Sequence, residues 1–194
     1  MKVFLQAGLL GLSGGMQGWV YSMRNGKTYL GPKPLRNADR EPSEAELDWQ
    51  KRFKKASSHA KALLAEPDTR GFYQTISKES GVPLFAVAMG DILNEPSILP
   101  LDLSKYKGQI GDAIEIQAVD DIGLAEINVN IVAQDGTPIE SGQAVEIGVR
   151  SGEWTYTATR QVALGTDIFI EVKGVDHAGN NTQLTENPTV GVDA

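Results

Sequence analysis

The side chains best suited to chemistry in this sequence are four carboxylates and amides in its C-terminal half. Asp120 and Asp121 end one predicted β-strand, and Asp176 and Asn180 lie in a later turn. Hard oxygen ligands brought together at one end of a β-sandwich could bind Ca²⁺. The alternative is structural, because Asp and Asn are also frequent in turns for reasons of backbone conformation. No cofactor other than this calcium ion is predicted.

Catalytic residue types are scarce in this sequence. The 194 residues include no Cys and only two His, His59 and His177, which removes thiolate chemistry and nearly excludes a serine-type triad. No Walker A loop, zinc-protease motif or kinase motif is present. The glycine-rich residues 11–15 have neither the spacing of a nucleophile elbow nor the βαβ context of a dinucleotide-binding loop. We therefore predict a protein that is not an enzyme.

A difference in charge between the two halves of the chain favours two domains. Residues 1–98 carry 13 Lys and Arg against 10 Asp and Glu, a net charge of +3. Residues 99–194 carry 5 against 15, a net charge of −10. Halves of opposite sign are typical of separate modules. We predict a basic module over residues 1–96 and an acidic one over residues 97–194.

The basic module begins with a predicted β-hairpin. Residues 18–23 include Trp-Val-Tyr, which are strong β-formers, and residues 28–30 form the return strand. Between them, Asn25 and Gly26 tolerate the positive φ angles that a type I′ turn requires. The prolines in residues 31–34 end the second strand.

Three helices are predicted to follow the hairpin. A capping box begins the first at Ser43, and this helix is expected to run to about Leu64. Pro67 begins the second helix, and Gly81 can supply its left-handed C-terminal cap. Leu84–Leu93 form the third, which is apolar on most sides and is predicted to be buried or to face a partner.

Apolar residues recur along the first helix at spacings of four and three. The stripe consists of Trp49, Phe53, Ala56, Ala60 and Leu63. This period predicts an amphipathic helix whose apolar side packs in a core. We assign the aromatic pair at its start to that core.

Positive charges cluster on the hairpin, on the chain that leaves it and on the first helix. As a set they could bind an acidic partner or phosphate, and the alternative is that they are solvated surface charges. The predicted partner-binding residues are Arg24, Lys27, Lys33, Arg36, Lys51, Arg52, Lys54 and Lys55.

Short β-rich runs separated by turn signals predict a β-sandwich in the acidic half. The expected strands are residues 98–103, 113–120, 124–133, 144–149, 153–159, 167–175 and 182–184. Trp154 and Tyr156 share one face of their strand and are expected to fill the core. The predicted fold is therefore an α+β module, a hairpin plus about three helices, followed by an all-β sandwich of about seven strands.

Several motifs in the acidic half resemble those of bacterial immunoglobulin-like modules. They are A-V-D-D-I-G-L at 118–124, D-G-T at 135–137, E-W-T-Y-T at 153–157 and V-D-H-A-G-N at 175–180. The resemblance covers about residues 98–190 and implies an immunoglobulin-like sandwich. It says little about function, because such modules serve as spacers, stalks and adhesive domains.

The basic half resembles uncharacterised bacterial proteins that begin with a glycine-rich stretch. The matching motifs are V-Y-S-M-R-N-G-K-T at 20–28, P-S-E at 42–44 and Q-K-R-F at 50–53, where Lys51 departs from the usual spacing. Such proteins occur with phage-like or contractile-injection genes. The resemblance implies an accessory component or packaged cargo of a phage-tail-like particle.

Three classes of function follow from these patterns. The first is a non-enzymatic structural or interaction protein that binds a protein partner within a larger assembly. The second is a nucleic-acid-binding protein that uses the basic module, and the −10 charge of the other half opposes it. The third is an exported surface or glycan-binding protein that uses the sandwich, for which exposed aromatic residues are expected.

The start of the chain bears on localisation. Lys2 and the apolar residues 3–12 form a poor signal peptide, because glycines interrupt the run and no small-residue cleavage site follows. The run is also too short to span a bilayer. We expect a retained, structured N-terminus and a location in the cytoplasm or within a released particle, with secretion to the cell surface as the alternative.

Overall fold

The computed structural model divides the chain into two compact units, Met1–Glu44 and Ala45–Ala194. It describes residues 3–4, 14–16, 18–24, 27–33 and 40–191. The helices thus belong with the sandwich, whereas the boundary predicted at 96/97 had grouped them with the hairpin. The physical reason is a shared apolar cluster, in which Ile122 of the sandwich packs among buried helical residues.

The first unit contains a four-stranded antiparallel sheet. Its strands are β1 (Val3–Phe4), β2 (Gly14–Met16), β3 (Trp19–Arg24) and β4 (Lys27–Pro32), in the order β1-β4-β3-β2. The predicted hairpin strands are confirmed, since β3 pairs with β4 from Trp19↔Pro32 to Arg24↔Lys27. The turn residues Asn25 and Gly26 and most of the apolar run 3–12 lie outside the described residues.

The three predicted helices are confirmed almost residue by residue. They are α1 (Glu44–Leu63), α2 (Pro67–Ser80) and α3 (Leu84–Leu93). Pro67 stands in the first turn of α2, where no intrahelical N–H is needed. Gly81 ends α2 in the left-handed conformation, with φ of 70°, and its N–H donates to the Ser77 carbonyl at 3.0 Å.

The core of the helical layer differs from the predicted stripe. Ala56 and Ala60 of α1 are buried, together with Tyr73 and Ile76 of α2 and with Val87, Ala88 and Met89 of α3. The aromatic pair predicted for this core is outside it, because Trp49 is 52% exposed and Phe53 is 50% exposed. The apolar period therefore predicts the buried residues correctly only in the second half of α1.

Two four-stranded antiparallel sheets form the sandwich. Its strands are β5 (Ser97–Ile98), β6 (Ala113–Val119), β7 (Leu124–Ala133), β8 (Pro138–Gln143), β9 (Val145–Glu146), β10 (Glu153–Thr157), β11 (Ile168–Asp176) and β12 (Asn181–Glu186). One sheet has the order β5-β6-β10-β9 and the other has the order β12-β11-β7-β8. The chain thus combines helices with antiparallel sheets, as the predicted α+β and all-β elements required.

Inward-facing residues of both sheets fill one core. Ile116 and Trp154 come from one sheet, and Val129, Ile131 and Ile170 come from the other. The burial of Trp154 and Tyr156 confirms the prediction for that strand. The alternation of buried and exposed residues along β6 and β11 follows the two-residue period of a pleated strand.

Three strands differ from the sequence prediction, and one of them is the predicted strand 144–149, which is shortened to β9. The predicted strand 98–103 is reduced to β5 and to one isolated bridge between Asp102 and Glu115. Pro100 separates β5 from Asp102 along the chain. Strand β8 was not predicted, because Pro138 and Gly142 weaken a strand pattern. It lies at the edge of its sheet, where a Pro at the first position is tolerated.

Candidate functional site

Three elements of the second unit bring three aspartates together. Asp120 directly follows β6, Asp176 is the last residue of β11, and Asp91 lies in the last turns of α3. One carboxylate oxygen from each of the three lies within 4.8 Å of the others. We call this set the carboxylate cluster. Two of its members were predicted as calcium ligands, and the third comes from a helix.

The end of β6 holds the Asp120 carboxylate in a tight turn. Its Oδ2 accepts hydrogen bonds from the N–H groups of Ile122 at 3.0 Å and Gly123 at 2.9 Å. Gly123 has a φ of 97°, a conformation that a residue with a side chain rarely adopts. Burial is the largest effect on this carboxyl group and raises the pKa of Asp120.

The turn after β11 orients the Asp176 carboxylate through Asn180. The Asn180 backbone N–H donates to Oδ1 of Asp176 at 2.7 Å, and its Nδ2 donates to Oδ2 at 2.7 Å. The same Nδ2 donates to the backbone carbonyl of Asp91 at 2.8 Å. Asn180 therefore joins the sandwich turn to helix α3.

Asp91 is a fully buried carboxyl group, with 0% of the residue exposed. The Tyr73 hydroxyl of α2 donates a short hydrogen bond to its Oδ2. The pKa of Asp91 is raised to about 7, with burial as the largest cause; the Tyr73 hydrogen bond lowers this pKa, and the neighbouring carboxylates of Asp176 and Asp120 raise it. The same burial raises the pKa of Tyr73 well above its ordinary value, so its phenol remains a neutral donor.

Two oxygens of the carboxylate cluster have no hydrogen-bond partner among the described residues. They are Oδ1 of Asp91 and Oδ1 of Asp120, and both are buried. An unpaired buried polar atom is costly, and more so when it carries charge. Within the described residues, no Lys or Arg forms an ion pair with any of the three aspartates.

The predicted calcium set is brought together only in part. Asp120 and Asp176 are neighbours, but Asp121 is exposed and its Oδ2 accepts a hydrogen bond from Asn94 at 2.5 Å. Asn180 supports Asp176 and directs its amide nitrogen at that carboxylate. Asp91 was missed, although one acidic residue within the apolar run of α3 is an unusual signal.

The surroundings of the cluster combine an aromatic contact with an open cavity. The imidazole of His177 lies 3.8 Å from the ring of Phe72, measured between centroids, and burial lowers the pKa of His177. A cavity of about 510 Å³ lies beside the cluster, lined by Asp120, Asp121 and Gly123 among others. This cavity borders the Asp120 side of the cluster.

A second candidate site is the N-terminal half of α1. Its four predicted partner-binding residues, Lys51, Arg52, Lys54 and Lys55, are all exposed. Trp49 and Phe53 are half exposed beside them, and the guanidinium of Arg52 lies 5.8 Å from the centre of the Trp49 ring. We call these six residues the basic-aromatic face of α1.

The remaining predicted partner-binding residues belong to the first unit. Lys33 is exposed. Arg24 and Lys27 face each other across the end of the β3–β4 ladder, and their side chains are outside the described part of the structure. Arg36 also lies outside the described residues.

Comparison with known proteins gives little further information. No family model matches the chain, and no curated protein matches it. Among solved structures, the crystal structure of CopC from Methylosinus trichosporium OB3b matches with a TM-score of 0.38 and 13% identity. The match covers 49% of this chain and 92% of that chain. Over the described residues, the three helices are too short or too polar to cross a bilayer.

Proposed function

We propose that this protein is a non-enzymatic interaction protein that binds an acidic protein surface through the basic-aromatic face of α1. The observation that carries the proposal is the half exposure of Trp49 and Phe53 on a helix whose neighbouring side chains are cationic. A folded monomer gains nothing in stability from leaving two large aromatic rings in water. Aromatic residues and Arg are the residue types that most often dominate protein interfaces.

The arrangement of the face favours an acidic partner with an apolar pocket. Trp49 and Phe53 are four residues apart, so their rings lie one helical turn apart on the same side. Arg52 lies 5.8 Å from the centre of the Trp49 ring, and Arg52 and Lys55 line a groove of about 380 Å³ together with His59. Asp48 precedes Trp49 and pairs with Lys51 at 3.3 Å, so the cations proposed to meet the carboxylates of a partner are Arg52, Lys54 and Lys55.

The sandwich serves in this proposal as an immunoglobulin-like spacer that carries the helical layer. Support comes from its strand order, because β5-β6-β10-β9 and β12-β11-β7-β8 correspond to the A-B-E-D and G-F-C-C′ orders of immunoglobulin domains. Support also comes from the sequence motifs described above. A glycan-binding role for the sandwich has less support, since Tyr106, Trp154 and Tyr156 are buried and Phe169 is only partly exposed.

The larger assembly is proposed on sequence resemblance. The motifs of the basic half resemble proteins that occur with contractile-injection genes, so we propose an accessory component or packaged cargo of a phage-tail-like particle. Such a protein would be located in the cytoplasm or inside the released particle.

The experiment is a nuclease-treated pull-down from the native host, followed by rebinding of the purified partner. The bait is the full chain, either unchanged or with Trp49→Ala and Phe53→Ala together. Truncation of central interface anchors costs about 2 kcal/mol or more, so we expect at least about a 30-fold loss of affinity. The matched control is Val149→Ala, because Val149 is 90% exposed and lies in the sandwich.

Charge is tested separately from the aromatic anchors. Lys55→Glu on α1 should weaken binding and reduce its salt dependence, whereas Lys78→Glu on α2 should not, although both lysines are exposed. The proposal requires that one protein from one assembly binds the unchanged bait. This protein should be absent from the pull-down with the α1 variants and present with the Val149→Ala and Lys78→Glu baits. A partner insensitive to the α1 variants, or binding that disappears with nuclease, would overturn it.

A further inference from the structure

The carboxylate cluster collects negative charge at a buried junction. Asp91 and Asp176 are 0% and 2% exposed, and Asp120 is partly exposed. Moving ionised carboxylates out of water costs several kcal/mol each unless an opposite charge or donors compensate them. Three such groups with oxygens within 4.8 Å of one another also repel each other.

The protein's own donors compensate only part of this charge. Tyr73 donates to one oxygen of Asp91, two backbone N–H groups donate to one oxygen of Asp120, and Asn180 donates to both oxygens of Asp176. Oδ1 of Asp91, in a residue with no exposed surface, and Oδ1 of Asp120 receive no hydrogen bond from any residue that the structure describes. The cluster is thus short of positive charge at its centre.

We propose that Asp91, Asp120 and Asp176 bind one Ca²⁺ ion between helix α3 and the sandwich. Two oxygens that share a Ca²⁺ ion at about 2.4 Å each can be separated by at most about 4.8 Å, which is the spacing limit that the cluster meets. Carboxylate oxygens are the ligands that this hard cation prefers. The set differs from the one predicted from the sequence, because a helical residue replaces Asp121 and Asn180.

Coordination by three aspartates leaves room for water. Ca²⁺ takes six to eight oxygens, and three carboxylates supply three to six of them, depending on whether each binds through one oxygen or two. The cavity of about 510 Å³ beside Asp120 provides the remaining ligands as water and a route for the ion. Mg²⁺ suits the site less well, because it requires ligands at about 2.0–2.1 Å and a near-octahedral geometry.

The position of the ligands gives the ion a structural role. Asp91 belongs to the helical layer, whereas Asp120 and Asp176 belong to the sandwich. A bound ion would therefore hold these two layers together, alongside the hydrogen bond from Asn180 to the Asp91 carbonyl. Removal of the ion would leave mutual repulsion at the same junction.

The test measures calcium binding and thermal unfolding of the full chain after treatment with a chelator. Ca²⁺ at about 100 times its dissociation constant should raise the Tm of the unchanged protein by about 5–10 °C. Asp120→Asn is the main variant because Asp120 is partly exposed and Asn preserves its shape. Calorimetric titration should show its calcium affinity reduced by at least about 10-fold, since a change in a residue that only supports a ligand already costs about that much. Asp68→Asn, an exposed aspartate of α2, is the matched control and should bind as the unchanged protein does.

A second readout separates a calcium ligand from a merely structural aspartate. In chelator, Asp120→Asn should melt no lower than the unchanged protein, because one of the mutually repelling charges has been removed. With Ca²⁺ present the order should reverse. If Asp120 were only a structural hydrogen-bond acceptor, the variant would lose the same stability with and without calcium.

Terbium luminescence provides a measurement that does not depend on melting. Tb³⁺ replaces Ca²⁺ at oxygen sites, and Tyr73 lies in hydrogen-bond contact with Asp91, so excitation of tyrosine should sensitise the bound ion. Asp176→Asn, checked for folding by circular dichroism, should remove this signal; if it does not fold, Asp120→Asn serves instead. The proposal is overturned by unchanged protein that binds no Ca²⁺, by Asp120→Asn binding as tightly as the control, or by Mg²⁺ binding equally well.

Discussion

Two buried tyrosine hydroxyls in the second unit should respond in opposite ways to the same substitution. Tyr73 is 0% exposed and its hydroxyl donates to Oδ2 of Asp91. Tyr106 is 4% exposed, and its hydroxyl has no hydrogen-bond partner in the described part of the chain. Tyr73→Phe and Tyr106→Phe each delete one oxygen and leave the ring and its packing in place. The comparison therefore isolates the value of the hydrogen bond.

The magnitudes follow from what each oxygen leaves behind. Above the Asp91 pKa of about 7, where this carboxyl group is charged, a hydrogen bond to it contributes about 1.5–3 kcal/mol, and its loss at Tyr73 would also leave Asp91 Oδ2 buried without a donor. We expect Tyr73→Phe to lower the free energy of unfolding by about 2–3 kcal/mol. Tyr106→Phe removes a desolvated hydroxyl that has no partner, so it should be neutral or should stabilise the protein by up to about 1 kcal/mol.

The assay is urea unfolding at equilibrium in a buffer that contains chelator, so that metal binding does not contribute. Both variants should retain the m-value of the unchanged protein, because neither alters the surface exposed on unfolding. The urea midpoint of Tyr73→Phe should then lie below the midpoint of the unchanged protein. The midpoint of Tyr106→Phe should lie at or above it. Equal destabilisation by both substitutions would refute the reasoning, since ring packing rather than hydrogen bonding would then dominate.

Two further predictions concern the fold itself. Gly174→Ala in β11 should destabilise the protein by about 1–3 kcal/mol, because the added Cβ would collide with the Leu124 side chain. Gly71→Ala in α2 should instead stabilise it by about 0.5–1 kcal/mol, because a Cβ at this position meets no described atom within 4 Å. Thermal unfolding measures both effects. The pKa of His177 should lie below 6.5 in the folded protein, because burial disfavours the charged imidazole. The neutral, buried imidazole therefore contributes to the free energy of unfolding above pH 6.5, and this contribution is lost as the pH falls through the folded pKa. Titration of the imidazole by NMR, together with urea unfolding at each pH, checks this sign.

Local signals in the sequence were sufficient for the helices and most strands. Pro67 and Gly81 bound α2 because their backbone preferences operate within one turn. The β3–β4 pairing agrees with the predicted hairpin for the same reason. Strand β8 was missed because edge position, not residue preference, makes it acceptable.

The aromatic pair of α1 shows where periodicity stops being informative. A stripe at helical spacing indicates which residues share a side of the helix, but not how far a second element covers that side. α2 and α3 cover the stripe at Ala56 and Ala60 and leave Trp49 and Phe53 half exposed. The same residues thus changed from predicted core to the proposed binding face.

The candidate metal site was predictable in part. Asp120 and Asp176 lie at ends of strands that meet at one end of the sandwich, and the sequence motifs indicated both. Asp121 follows Asp120 along the chain, yet the turn directs it toward Asn94 at the surface. Adjacent positions in a turn point in different directions, so spacing alone does not select between them.

The sequence by itself determined the helices, most of the strands, the alternating pattern that builds the sandwich and the absence of thiol chemistry, because each depends on residue type and near neighbours. Only the tertiary structure decided that the helices pack with the sandwich in one compact unit. It also decided that Asp91, 29 residues before Asp120 in the sequence, joins that carboxylate and Asp176 in one buried cluster. Such a contact depends on how α3 docks, and docking is governed by the summed burial of many side chains, which no local pattern records.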